Sequence, residues 1–243
     1  MLNNQINQTR EIFESPNWAI LMRPIWKEYF FEEIAQELKT NEWKEKKNAY
    51  VSLVLNLLKQ KQVYISKVGV NDDNLRSEIK QIVLHHSHSD GILLEQTNQE
   101  IFEWINALQL IRQYGDYFSN LLYSEYNKPI YSGHYLNGEQ IFIAYHWLVF
   151  PDGEIIQALK DEYLGWHCKG NNFNSTGICL VGDFTDPQIP KPSNKQINSL
   201  NKLIAHYKEK YLIQNVSGHR ELLLSTTCPG NWFLGENGWK KDI

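Results

Sequence analysis

Three short apolar runs, QIVLHH (81–86), IFIAYHWLVF (141–150) and TGICLVGDF (176–184), most constrain what this chain can fold into. They carry β-branched and aromatic residues and are bounded by polar or turn-forming ones, so they read as buried strands. The second run is joined to EIIQAL (154–159) by Pro-Asp-Gly. Proline presets the turn and glycine supplies a positive φ, which predicts a hairpin there. Between the runs lie helical patterns. In NQEIFEWINALQLIRQYGDYFSNLL (98–122), Ile101, Trp104, Ile105, Leu108 and Ile111 fall on one face. In NKQINSLNKLIAHYKEKY (194–211), Ile197, Leu200, Leu203, Ile204 and Tyr207 do the same, with Ser193 or Asn194 as N-cap. From about residue 80 onward strands and helices alternate, which predicts a mixed α/β domain with helices packed on a sheet.

Residues 1–79 read differently. PIWKEYFFEEIAQEL (24–38) and NAYVSLVLNLLKQ (48–60) space their apolar residues by three and four, as helices do, and KQVYISKVGV (61–70) reads as a short extended piece. A boundary near residue 70 therefore separates a helical N-terminal extension, residues 1–70, from a domain spanning 71–243. No repeat or low-complexity tract interrupts either part.

Composition narrows the partners. The chain holds 24 basic and 28 acidic residues for a net charge of −4. No lysine or arginine cluster tracks a phosphate backbone, which argues against nucleic acid. No run of about 18 apolar residues occurs, and the N-terminus lacks a basic segment followed by an apolar one. The expectation is a chain without membrane span or signal peptide, cytoplasmic as synthesised. Three cysteines, Cys168, Cys179 and Cys228, leave at least one thiol unpaired, which fits a reducing compartment or a metal ligand. Cys168 and Cys179 read most simply as buried thiols.

Three elements could share a metal: His85 and His86 at the end of the first apolar run, His219 in VSGHRE, and Cys228 in STTCPG. Zinc prefers imidazole nitrogen and thiolate sulfur, and a catalytic zinc keeps three protein ligands with one position open. Adjacent residues on a strand point to opposite faces, so only one of His85 and His86 belongs to such a set.

The order of the motifs carries a resemblance. IVLHHS, AYHWLVFPDGEI, GWHCKGNNFNSTGICLVGDF, the helix around INSLNKLIAHY, then GHRE and T-x-C-P-G follow one another over residues 80–235 as they do in zinc-dependent N-acetylmuramoyl-L-alanine amidases. That superfamily includes amidase-type phage lysozymes and peptidoglycan recognition proteins. The resemblance implies a central mixed β-sheet flanked by helices, one zinc ion per chain, and cleavage of the amide between N-acetylmuramic acid and L-alanine in peptidoglycan. The stretch between HHS and AYHW is longer than the family pattern, so residues 91–140 read as a helical insertion, and residues 1–70 are unmatched.

Carried over by motif, the resemblance implies His85, His219 and Cys228 as zinc ligands and Tyr145 as the catalytic tyrosine. Thr226, two residues before the metal cysteine, takes a position held by lysine in some phage enzymes and by threonine in amidase-active recognition proteins. Members that only bind peptidoglycan typically lack the cysteine. His167, Asn171 and Asn172, in a glycine- and asparagine-rich loop, are expected at a polar substrate rim. His146 reads as structural or supporting, His86 and His88 as flanking the metal without binding it, and Asp90 as a carboxylate that could hold a ligand imidazole. The competing expectation is a non-catalytic peptidoglycan-binding or regulatory protein on the same fold. Peptidoglycan or a muropeptide is the expected partner, reached after release or delivery by another route, and the N-terminal helices offer a surface for a protein partner.

Overall fold

The computed structural model describes residues 72–89, 96–119 and 134–243, with five helical positions between 51 and 59; for 111–119 only the backbone is described. The predicted helix at 24–38, the extended piece at 61–70, the protein-partner surface on the N-terminal helices and Asp90 lie outside these residues. The chain divides into two units, residues 1–71 with 102–142, and residues 72–101 with 143–243.

In the second unit, five strands form one mixed sheet: β1 (Gln81–His86), β4 (Trp147–Val149), β5 (Ile155–Gln157), β6 (Ser175–Leu180) and β7 (Asn215–Gly218), in the order β5-β4-β6-β1-β7. The numbers β2 and β3 belong to a hairpin of the first unit. β1 lies parallel to both β6 and β7, β4 lies parallel to β6, and only β4 and β5 are antiparallel. The Pro-Asp-Gly turn closes that antiparallel pair. Gly153 has φ +91°, and the Phe150 amide donates to the Glu154 carbonyl at 2.9 Å.

The predicted strand over 141–150 is shorter than its apolar run, since only Trp147–Val149 joins the ladder. The amides of Ile141 and Phe142 donate instead to the His134 carbonyl and the Asn106 side chain. Their amides are satisfied without a strand partner.

The helix predicted near the C-terminal end forms over Asn194–Lys210 and carries a capping box. Ser193 Oγ accepts from the Gln196 amide, and Gln196 Oε1 accepts from the Ser193 amide, each at 3.1 Å. Buried Gln196 also donates to the carbonyls of Val149 and Val181 at 3.1 and 2.9 Å, fastening the helix start to β4 and to the exit of β6. Ile197, Leu200, Leu203, Ile204 and Tyr207 pack on Ile82, Leu84, Val149, Ile178 and Leu180 to form the main core.

At the far end of that helix the Tyr207 hydroxyl accepts from Trp147 Nε1 at 2.7 Å and donates to Asp161, whose carboxylate also takes Lys210 Nζ and the Tyr211 hydroxyl, each at 2.8 Å. Burial pushes the Asp161 carboxyl up, but the bonds from Lys210, Tyr207 and Tyr211 outweigh it and hold it below its usual value.

The helix predicted near Trp104 spans Asn98–Ser119 (α1), so the helix of the main core is α2 (Asn194–Lys210). Thr97 and Glu100 cap α1 by reciprocal bonds. Trp104, Ile105, Ala107, Leu108 and Leu110 are buried. In the first unit, β2 (Tyr135–Leu136) and β3 (Glu139–Gln140) form the hairpin, turned by Asn137 at φ +51° and Gly138 at φ +83°. Asn106 joins it to α1, donating to the Gln140 carbonyl at 3.0 Å.

Replacing Asp161 by Asn removes charge-assisted bonds and is expected to cost about 1.5–3 kcal/mol at neutral pH. Because the folded carboxyl sits below its unfolded value of 3.8, its stabilisation is present above that pH and lost as pH falls through the folded value. Urea midpoints of wild type and Asp161→Asn should therefore differ at pH 7, begin to converge as pH falls below about 3.8, and meet only below the lower folded value.

Candidate metal centre and active site

Parallel pairing brings distant residues together. Leu84 on β1 stands opposite Gly218 on β7, so His85 and His219, the next residue of each chain segment, emerge side by side at the carboxyl ends of the strands. Open α/β sheets place their ligand sites at such an edge. His219 begins the short helix α3 (His219–Leu222). Gly218 allows the close passage there, since a Cβ on it would fall 2.4 Å from Phe233 Cε1 and 2.7 Å from Pro229 Cδ.

The loop after α3 returns Cys228. The Arg220 amide donates to the Cys228 carbonyl at 2.7 Å, and the Cys228 amide donates to Thr226 Oγ1 at 3.1 Å. The His86 amide points at Cys228 Sγ from 3.4 Å. His85 Nδ1 lies 3.6 Å from the same sulfur.

One potential ligand atom from each of His85, His219 and Cys228 lies within 4.8 Å of the others. Burial, followed by the charges of His167 and His219, holds the His85 imidazole well below its usual range, and burial alone lowers His219. Both rings are therefore neutral at pH 7 and offer a lone pair, as metal ligation requires. The buried Nε2 of His219 has no hydrogen-bond partner among the described residues, which is a cost unless something else takes that atom. The donor set, its closeness and this orphaned nitrogen fit a zinc ion.

A second group, His86, His88 and Asp183, is equally compact. Its atoms are already engaged, however. His86 Nδ1 accepts from the Phe184 amide at 3.2 Å, and Asp183 accepts from His88 at 3.2 Å and from the Thr185 amide at 2.9 Å. Burial pushes the Asp183 carboxyl up, but His88 and Thr185 outweigh it and hold it far below its usual range. These residues brace the loop after β6.

The remaining sequence-derived candidates separate. Tyr145 borders the centre, its ring centroid 5.0 Å from that of His85 and at a 43° tilt. Thr226 is half-buried and supports Cys228 as described. The polar-rim reading of His167 and Asn172 does not match the structure. His167 is 6% exposed, and its Nδ1 lies 3.0 Å from His85 Nε2, behind the ligand face. Asn172 is 4% exposed, and its Oδ1 accepts from the amides of His167 and Cys168 at 3.0 and 2.7 Å. A loop rich in Gly and Asn suggests exposure from sequence, but here the Asn side chain satisfies buried backbone donors. Asn171 is half-buried and accepts from Gln81 Nε2 at 3.2 Å, a bond to β1.

His146 is fully buried, its Nδ1 accepting from the Gly177 amide at 3.1 Å and its Nε2 donating to the Tyr163 carbonyl at 3.0 Å. Ser175, which meets His167, was not singled out in the sequence, because a serine at the head of an apolar run looks like strand punctuation. A cavity of about 480 Å³ is lined by residues such as Arg76, Asp161, Lys210 and Tyr211 at the opposite, amino-terminal edge of the parallel strands.

A mixed α/β sheet with a His, His, Cys cluster at the carboxyl edge of its parallel strands thus defines the class. The family model described as N-acetylmuramoyl-L-alanine amidase matches residues 75–231, well over half of the chain, and the protein belongs to that family. Among curated relatives, the endolysin of Escherichia phage T7 is 29% identical over 102 residues and that of Enterobacteria phage T3 is 31% identical over 103. Each match covers 41% of this chain and 66% of the endolysin's own length. Among solved structures, N-acetylmuramoyl-L-alanine amidase LysC from Clostridium intestinale is 20% identical with a TM-score of 0.45, covering 74% of this chain and 91% of that one. Drosophila peptidoglycan recognition protein SD is 16% identical with a TM-score of 0.46, covering 70% and 85%.

Truncating Asn172 to Ala strands two buried amides and is expected to cost about 2–4 kcal/mol. The check is a lower urea midpoint at unchanged m-value.

Proposed function

We propose that this chain is a zinc-dependent peptidoglycan amidase that hydrolyses the amide between the lactyl group of N-acetylmuramic acid and L-alanine. The observation that carries the reading is the convergence of His85, His219 and Cys228 to within 4.8 Å, with Tyr145 against the first of them. The names of the phage relatives agree with a wall-lytic role.

His85, His219 and Cys228 would hold one zinc ion per chain, which supplies Lewis acidity and lowers the pKa of water from 15.7 toward about 7. The protein side chains divide the remaining work. As the amide carbon becomes tetrahedral, negative charge gathers on its oxygen, and the Tyr145 hydroxyl is the donor assigned to that oxygen. Thr226 Oγ1 accepts from the Cys228 amide, which leaves its own hydrogen to donate toward substrate or water. Buried, neutral His85 and His219 keep the centre free of competing positive charge.

The alternative is a protein that binds muropeptides without turnover. The threonine at 226, where some phage enzymes carry lysine, is its motive, and the presence of Cys228 in the cluster favours hydrolysis. Among the described residues no helix is long and apolar enough to cross a membrane. The site of action is assigned to the cell wall by substrate chemistry.

Purified sacculi incubated with the protein should release stem peptides with new L-alanine amino termini. A chelator should stop the release and zinc should restore it. Cys228→Ala should lose metal and activity together. Tyr145→Phe should keep the metal while kcat falls by about 10²–10³-fold, as for removal of one oxyanion donor. Tight muropeptide binding with no release by zinc-loaded protein would overturn the hydrolase in favour of the binding reading.

A further inference from the structure

His85 has a second polar neighbour whose role the hydrolytic reading leaves unassigned. Its Nε2 lies 3.0 Å from His167 Nδ1, His167 Nε2 lies 3.2 Å from Ser175 Oγ, and Ser175 Oγ donates to the Asn171 carbonyl at 2.5 Å. Each of the first two bonds alone leaves the donor ambiguous. The last bond resolves the row, because a backbone carbonyl can only accept. Ser175 must then give its single hydrogen to Asn171 and accept from His167. His167 therefore carries its proton on Nε2 and presents a bare Nδ1. That nitrogen accepts from His85, whose proton is thereby held on Nε2. The bare Nδ1 of His85 is left facing Cys228 Sγ at 3.6 Å.

The surroundings are built for this row. The backbone of His167 is fixed by Asn172 Oδ1. Gly177 leaves room for the ring, since a Cβ there would lie 2.7 Å from His167 Cγ. Arg76 Nη1 donates to the carbonyls of Asn172 and Ser175, at 2.9 and 2.5 Å, and ties down both ends of the turn between Asn171 and β6. His146 stands against the outer edge of His167, with ring centroids 5.8 Å apart.

We infer that His167 is a positioning residue which, backed by Ser175 and the Asn171 carbonyl, locks the tautomer and ring orientation of His85 so that Nδ1 is the metal-binding nitrogen. Partners of this kind orient ligand imidazoles and raise their basicity, and losing one typically costs about 10–100-fold in metal affinity. The inference rests on the metal reading of His85, but the proton order follows from the row alone.

The test is in two parts. In metal-free protein labelled with ¹⁵N-histidine, a scalar coupling across the hydrogen bond should link His85 Nε2 to His167 Nδ1, with both rings protonated on Nε2. Zinc affinity, measured by competition with a chromophoric chelator, should weaken about 10–100-fold in His167→Leu. His167→Gln, which keeps an acceptor and a donor, should recover most of it. No coupling in wild-type protein, or wild-type zinc affinity in His167→Leu, would overturn the inference, and equal weakening by Leu and Gln would reduce His167 to a packing residue and also overturn it. If the variants do not fold, the wild-type coupling decides. A coupling seen in a protein that binds no zinc would uphold the row and sink the metal reading, so the two failures are distinguishable.

Discussion

Parallel hydrogen bonding on both sides of β1 is the constraint on which the rest depends. A parallel neighbour cannot be reached by a tight turn, so β6 and β7 come from far along the chain, and each crossover must be closed against chain entropy. The closure is offset by the core that α2 forms with Ile82, Leu84, Ile178 and Leu180. Once the register Leu84↔Gly218 is set, the neighbouring histidines have no freedom to be elsewhere. The cluster with Cys228 is therefore a consequence of sheet topology and not of a compact sequence motif.

Much of this was legible in the residues. The strand at 81–86, the Pro-Asp-Gly hairpin and the capped helix at 194–211 follow from apolar period, β-branching and turn chemistry, and the structure places them within a residue or two, whereas the run at 176–184 pairs only over Ser175–Leu180. The opposition of His85 and His86 follows from strand alternation. His85 meets Tyr145, His167 and His219, whereas His86 meets Phe184 and His88. The run before Trp147 departs from the strand pattern because apolar residues are buried in loops as well as in strands, and here side-chain and loop acceptors replace the ladder.

The loop around His167 shows the harder limit. Glycine and asparagine are the residues of exposed turns, but they are also the residues that let a backbone approach closely and satisfy itself internally. Period and composition do not separate the two cases. What separates them is the count of buried amides that Asn172 serves, a quantity that exists only once the chain has folded. Ser175 was hidden for a related reason, since its partners come from the preceding loop and from behind the ligand.

The sheet has two ends with different tasks. At the amino-terminal edge of the parallel strands, Asp161 gathers Tyr207, Lys210 and Tyr211, while the histidines and Cys228 occupy the carboxyl edge. Arg76 reaches both regions through backbone carbonyls, those of Asp161 on one side and of Asn172 and Ser175 on the other. Among the described residues, however, the Asp161 carboxylate and the His, His, Cys cluster have no hydrogen-bond partner in common, and side chains without shared partners contribute almost additively to stability. Sequence drift, or deliberate thermal hardening, can proceed around Asp161 while the carboxyl edge is held constant. A lineage built on this sheet can thus retune its tolerance of heat or acid independently of its chemistry.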